Sequence, residues 1–137
     1  MTEADLLAQL NSTGDFLWSL MQYWTSISIG ILIGAHLATN RINAYFLGAF
    51  IIVYVVFTYQ IAMLMRLQVE AVGGVMLDLR FIEDSAVGLS NTAAAVLEHS
   101  PVANETPAGQ FLRLAMFVGM MLITISYPIY CKLKPEG

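Results

Sequence analysis

The chain has 137 residues, of which 58% are hydrophobic and 12% are charged, and its formal net charge at pH 7 is −4. Soluble globular domains carry about 25% charged residues, so this composition excludes an ordinary soluble domain and favours a membrane protein. The negative charge disfavours a nucleic-acid-binding protein, which needs a basic surface, and the single cysteine, Cys131, excludes an intrachain disulfide.

The first 15 residues contain acidic side chains and no lysine or arginine. A secretory signal peptide begins with a basic region, so we expect the first apolar stretch to be retained as a membrane span. Thr2, followed three residues later by Asp5, predicts a helix N-cap. The polar run Asn11–Gly14 predicts that this short amphipathic helix ends before the first span begins.

Three apolar stretches are each long enough, as helices, to cross a hydrocarbon core of about 30 Å. They cover about residues 16–38, 44–65 and 111–130. The first two contain no Asp, Glu, Lys or Arg, and the third contains only Arg113, near its start. The predicted fold class is an all-α membrane protein: three transmembrane helices plus an amphipathic extramembrane helix between the second and third spans, in a single polytopic domain, 1–137.

Small residues recur every four positions along the first span and so share one helix face. They are Ser26, Gly30, Gly34 and Ala38. A face without large side chains lets two helix backbones approach closely, so the pattern predicts a helix contact. The partner is left open: it is the second span, the third span or another copy of the chain.

A heptad pattern follows the second span, within the segment 66–98. Its apolar seam, spaced by four and three residues in turn, consists of Val75, Leu79, Ile82, Ala86, Leu89, Ala93 and Val96. This spacing predicts one amphipathic helix whose seam must be covered by another copy, a partner protein or the membrane surface. The pair Gly73–Gly74 favours a helix break there over a continuous stalk, and residues 99–110, with two prolines, are predicted to be a loop.

Few side chains are candidates for chemistry. His36 lies near one end of the first span, but haem or metal ligation would need a second ligand, and the other histidine, His99, lies in the extramembrane segment. We interpret His36 as a headgroup-boundary residue and Arg113 as a side chain that reaches the membrane interface.

The carboxylates of the extramembrane segment are predicted to form a solvated acidic face: Asp78, Glu83, Asp84 and Glu98. No catalytic motif is present, so we expect a non-enzymatic protein with no cofactor and no metal. Neutral polar residues of the spans, such as Ser28 and Thr58, are expected to hydrogen-bond between helices.

The distribution of basic residues predicts the orientation. Three of them lie in the 12 positions of the segments 39–43 and 131–137, namely Arg41, Lys132 and Lys134. The other three, including Arg113, are spread over about 60 positions on the opposite side. By the positive-inside rule, the N-terminus is outside and the C-terminus is cytoplasmic, in what we expect to be a bacterial inner membrane.

Two functions are consistent with these patterns. The first is a non-enzymatic assembly or interaction subunit that works through helix packing and the heptad segment. It would contact the lipid bilayer, together with either copies of itself or a membrane-protein partner. The alternative is a homo-oligomeric channel or lytic pore. The three-span arrangement with the N-terminus outside resembles that of class I phage holins, and this resemblance implies such a pore. Holins have short loops and a strongly basic tail, whereas this chain has a connection of about 45 residues and a tail with two lysines. The polar residues of the first span line only its outer half, which favours assembly.

Overall fold

The computed structural model describes residues 2–38, 41–85, 87–100 and 106–134. Within them the chain forms four helices: α1 (Glu3–Ala38), α2 (Ala44–Glu83), α3 (Asn91–His99) and α4 (Pro107–Leu133). The helices α1, α2 and α4 are long and apolar enough to cross a membrane, and α3 is a shorter helix between the second and third of them. The predicted fold class is confirmed, and the protein is an integral membrane protein.

The start of α1 has the predicted cap. The hydroxyl of Thr2 accepts a hydrogen bond from the Asp5 amide at 3.2 Å, and the Asp5 carboxylate accepts one from the Thr2 amide at 2.9 Å. This reciprocal pair satisfies backbone donors of the first turn.

The expected end of this helix at residues 11–14 is wrong, because α1 continues through them to Ala38. The Thr13 hydroxyl donates to the carbonyl of Gln9 at 2.8 Å, and the Ser19 hydroxyl donates to that of Asp15 at 2.9 Å. These bonds to carbonyls of the preceding turn satisfy the hydroxyls inside a continuous helix, which they destabilise only slightly. Buried leucines on both sides of the run, Leu6 and Leu20, also favour continuation.

The predicted break at Gly73–Gly74 is also wrong, because α2 is helical through both glycines and ends at Glu83. Each glycine costs about 1 kcal/mol in a helix interior, but each large apolar side chain that becomes buried contributes about 1.5–3 kcal/mol. Three such residues flank the glycines directly: Val72, Val75 and Met76. The free energy gained by burying these side chains in a continuous helix outweighs the low helix propensity of the two glycines.

The predicted single helix over the heptad segment is instead divided at residues 84–90. The Ser85 hydroxyl donates to the carbonyl of Ile82, and Gly88 has a φ of +69°, a conformation that glycine adopts without steric cost. Then Ser90 caps α3 by accepting a hydrogen bond from the Ala93 amide at 3.3 Å. The chain therefore turns between α2 and α3, and both helices contribute side chains to one core cluster.

The helix α3 ends at His99, as expected before the proline, and α4 begins earlier than predicted. The loop prediction for residues 99–110 is wrong from residue 107 onward. Thr106 accepts a hydrogen bond from the Gly109 amide at 3.2 Å, and Pro107 occupies the first helical position. Proline is favourable there because its missing amide proton would have no partner in the first turn.

The helices contribute to two compact units, which we describe separately. The first unit comprises Met1–Leu20 and Met63–Gln110, and the second comprises Met21–Ala62 and Phe111–Gly137. The first unit contains α3, the start of α1 and the end of α2, and the second contains most of the apolar stretches predicted as spans.

Candidate functional site

The apolar seam of the heptad segment lies in the core of the first unit. Val75 and Leu79 of α2 and Ala93 of α3 are buried, in one cluster with Leu6 of α1. The seam residues Ile82, Leu89 and Val96 are partly buried against the same cluster. The seam position Ala86 lies outside the described residues. Most of the seam is therefore covered by the chain itself, and its role as a contact with another molecule stays a prediction.

A carboxylate from α1 holds the start of α3 in the first unit. Glu3 accepts hydrogen bonds from the Ser90 hydroxyl and, at 3.1 Å, from the Ser90 amide. These two bonds, the hydroxyl bond being the stronger cause, hold the pKa of the Glu3 carboxyl below its usual range. This pair leaves no signal in the sequence, because 87 residues separate its members and neither belongs to a motif.

The acidic residues of the segment gather at one surface of the first unit. Glu83 and Asp84 at the end of α2 and Glu98 of α3 line a polar cavity of about 480 Å³, together with Arg80. Asp78 is exposed but does not line it. The turn between α2 and α3 brings these side chains together, since the heptad spacing alone would place them along one extended helix.

A hydrogen-bonded polar cluster joins α1 to α2 inside the second unit. The indole Nε1 of Trp24 donates to the Thr58 hydroxyl at 3.2 Å, and the hydroxyls of Ser28 and Tyr54 are 2.7 Å apart. All four side chains are buried. The Trp24 ring also stacks on Phe117 of α4, with ring centroids 4.5 Å apart. The expectation that Ser28 and Thr58 bond between helices is confirmed.

The small-residue face of α1 borders an open cleft in the second unit. A methyl group placed on Gly30 or Gly34 would meet no side chain or neighbouring helix of the described residues within 4 Å. Both glycines and Ala38 line an apolar cleft of about 320 Å³, whereas Ser26 is exposed and lies outside it. The other walls come from α2 and α4, including Phe50 and Pro128. The described part of the chain does not make the predicted close helix contact at this face. A contact of this face with another molecule stays a prediction.

Basic side chains lie beside one end of this cleft. The Lys132 ammonium group donates to the backbone carbonyl of Ile42 at 2.8 Å, and Ile42 lines the cleft. Arg41 precedes Ile42 and is exposed. In the sequence these two cations indicate only the orientation, and no local pattern predicts the link between the tail and residues 41–42.

His36 is paired with a tyrosine of α4. Its Nδ1 lies 2.9 Å from the Tyr127 hydroxyl of α4. Arg113 is exposed near the start of α4. Among the described residues there is no group of three His, Cys, Asp or Glu side chains that could hold a metal ion.

The comparisons with known proteins identify no relative. No protein-family model matches the chain, and neither a curated protein nor a solved structure is significantly similar to it. A functional proposal must therefore be drawn from the surfaces of the two units.

Proposed function

We propose that the protein is a non-enzymatic assembly subunit of a bacterial inner membrane, and that the acidic surface of its first unit binds a basic segment of a partner protein. The observation that carries this proposal is the closed core of the first unit. Leu79 and Ala93 of the seam are 0% exposed. Because most of the seam is occupied by the unit's own residues, we assign recognition to the acidic surface that the turn between α2 and α3 assembles.

The charge distribution favours a basic partner over a second copy. In the sequence of the first unit there are nine acidic and two basic residues, a net charge of −7. Such a field attracts cationic partners and accelerates their association, whereas two copies facing each other through this surface would repel. Within this acidic surface, the cavity lined by Glu83, Asp84 and Glu98 is the place where a basic side chain of the partner would bind.

The channel or holin-like pore receives less support. A conducting path needs a polar stripe that faces the centre of an oligomer. In the described part of the second unit, Ser28, Thr58 and Thr124 are buried, and each hydroxyl is hydrogen-bonded within the chain. Ser28 and Thr58 link α1 to α2, and Thr124 bonds within α4, so these three hydroxyls are not available to line a path.

Site-specific photo-crosslinking in the source membrane tests the proposal. A crosslinking amino acid at Val87, which is exposed and lies three residues after Asp84 in the chain, should form an adduct with one partner protein. The yield should fall when Glu83 is replaced by Lys, and also at high ionic strength, because salt screens exposed charges. Asp15→Lys is the matched control: it changes the net charge of the first unit equally but lies outside the cavity.

Three results would contradict the proposal. These are adducts between copies of the chain alone, adducts that Glu83→Lys does not reduce, and equal losses from Glu83→Lys and Asp15→Lys. A crosslinker at Ile52, an exposed position of α2 in the second unit, reports whether any protein contact is instead made between membrane helices.

A further inference from the structure

We propose that the apolar cleft of the second unit binds an acyl chain of an anionic phospholipid, and that Lys132 and Arg41 hold the phosphate of that lipid. This inference is independent of the acidic surface of the first unit. It rests on the size of the cleft, on the position of Lys132 and on the charge of the second unit.

The size of the cleft favours an acyl chain over a helix. An α-helix is about 10 Å in diameter, so it could insert only side chains into a cleft of about 320 Å³. A single hydrocarbon chain is slender enough to lie inside it. The cleft exists because Gly30 and Gly34 have no side chains, and its apolar walls suit a slender hydrocarbon chain from the surrounding bilayer.

Lys132 is positioned to bind the headgroup. It is half-buried, and the hydrogen bond to the Ile42 carbonyl uses one of the three donors of its ammonium group. An anionic oxygen at this end of the cleft would accept the remaining donors. Arg41, adjacent in sequence to Ile42, supplies a second cation, and basic pockets between membrane helices are a common form of anionic-lipid site.

The charge of the second unit is complementary to a phosphate. Three of the four basic residues in its sequence lie in the segments 39–43 and 131–137, namely Arg41, Lys132 and Lys134, and its one acidic residue, Glu136, lies outside the described part. These two segments together carry a net charge of +2, which contrasts with the acidic sequence of the first unit. An anionic headgroup would therefore meet attraction from this unit, whereas a zwitterionic lipid would gain little.

Lipid retention by the purified full-length chain tests the proposal. The protein is placed in nanodiscs that contain equal amounts of phosphatidylglycerol and phosphatidylcholine, and retained lipid is counted by native mass spectrometry. The wild type should retain phosphatidylglycerol preferentially. Lys132→Ala should weaken its binding about fivefold, and Lys132→Arg should largely preserve it. Arg113→Ala removes the same charge from the start of α4 and should leave binding unchanged.

A second pair of variants tests the cleft itself. Gly34→Leu should fill it and abolish preferential retention, whereas Gly119→Leu enters open space away from the cleft and should have little effect. If Gly34→Leu fails to fold, the comparison of Lys132→Ala with Arg113→Ala still decides the question.

Four outcomes would overturn the proposal. The wild type could retain the two lipids equally, or the two alanine variants could behave alike. An excess of inorganic phosphate could displace all retained phosphatidylglycerol, which would indicate a phosphate site without an acyl chain. Finally, Gly34→Leu could convert a dimer into a monomer without changing lipid retention, which would assign the cleft to a second copy of the chain.

Discussion

Single polar side chains link segments that are distant in sequence. In the second unit, the hydrogen bonds of Trp24 with Thr58 and of Ser28 with Tyr54 determine which faces of α1 and α2 meet. Interhelical hydrogen bonds in membrane proteins contribute only about 0.6 kcal/mol each on average, so their main effect is to specify the register. In the first unit, the bond between Glu3 and Ser90 has the corresponding role.

The Glu3 carboxylate should make the start of α3 sensitive to acid. Its pKa is lowered in the folded protein by the bonds from Ser90, so the stabilisation is complete above the usual glutamate pKa of about 4.3. It is lost as the pH falls through the lowered, folded-state value. Hydrogen exchange at the first amides of α3 should therefore show increased opening at acidic pH, beyond the intrinsic change in exchange rate.

Glu3→Gln should remove most of this pH dependence, because an amide does not titrate. Asp15→Asn, an exposed substitution on the same helix, is the control and should keep the wild-type profile. An unchanged profile in Glu3→Gln would show that another group controls the opening of α3.

At the scale of the helix, α2 shows how burial overrides local propensity. Gly73 and Gly74 lie inside the helix, and added methyl groups would meet no side chain or neighbouring helix of the described residues within 4 Å. Gly88 also has open space, but its φ of +69° is a conformation that other residues rarely adopt. Gly73 and Gly74 therefore show the entropic cost of glycine within a helix, whereas Gly88 shows its advantage where the backbone is left-handed.

Alanine substitutions should have opposite effects at these positions. Gly73→Ala and Gly74→Ala should each raise the free energy of unfolding by about 0.5–1 kcal/mol, because alanine loses less backbone entropy in a helix. Gly88→Ala should lower it by about 1–2 kcal/mol, because alanine is strained at this φ. Thermal unfolding in detergent, followed by circular dichroism, measures all three. A stabilising Gly88→Ala would mean that the turn rearranges freely.

At the scale of the whole molecule, the two units differ in both core and charge. The first unit has a cluster of buried aliphatic side chains and a strongly acidic sequence, whereas the second has a buried polar cluster and a basic sequence. This difference follows from the environments that the sequence predicts for them. Water drives apolar side chains together, whereas helices in lipid gain little from that effect and use hydrogen bonds and close packing.

Leu79→Ala should destabilise the first unit by about 2–5 kcal/mol, since the side chain is completely buried. Leu77→Ala is the matched control on the same turn of α2, where the leucine is 68% exposed, and its effect should stay within about 0.5 kcal/mol. Resistance to limited proteolysis between residues 84 and 90 would report the difference. Equal effects of the two substitutions would contradict the packing of the seam within the chain.

The orientation is tested by labelling cysteines in intact cells, in a chain with Cys131→Ser. Glu83→Cys should react with a membrane-impermeant maleimide from outside, because the distribution of basic residues predicts that the opposite side is cytoplasmic. Glu136→Cys should react only after permeabilisation. The reverse pattern would move the acidic surface, and its proposed partner, to the cytoplasmic side.

The sequence by itself determined the three membrane helices, the cap at Thr2 and the end of α3 before Pro101. These features depend on the length of an apolar run, on the thickness of a bilayer or on side chains within one helical turn. Only the tertiary structure decided that α2 continues through Gly73–Gly74, that the chain turns at residues 84–90 and that the seam packs on Leu6. Local propensities differ by about 1 kcal/mol per residue, which is less than the burial of one large side chain. Contacts between residues far apart in the chain, such as Glu3 with Ser90 or Lys132 with Ile42, leave no local pattern from which they could be predicted.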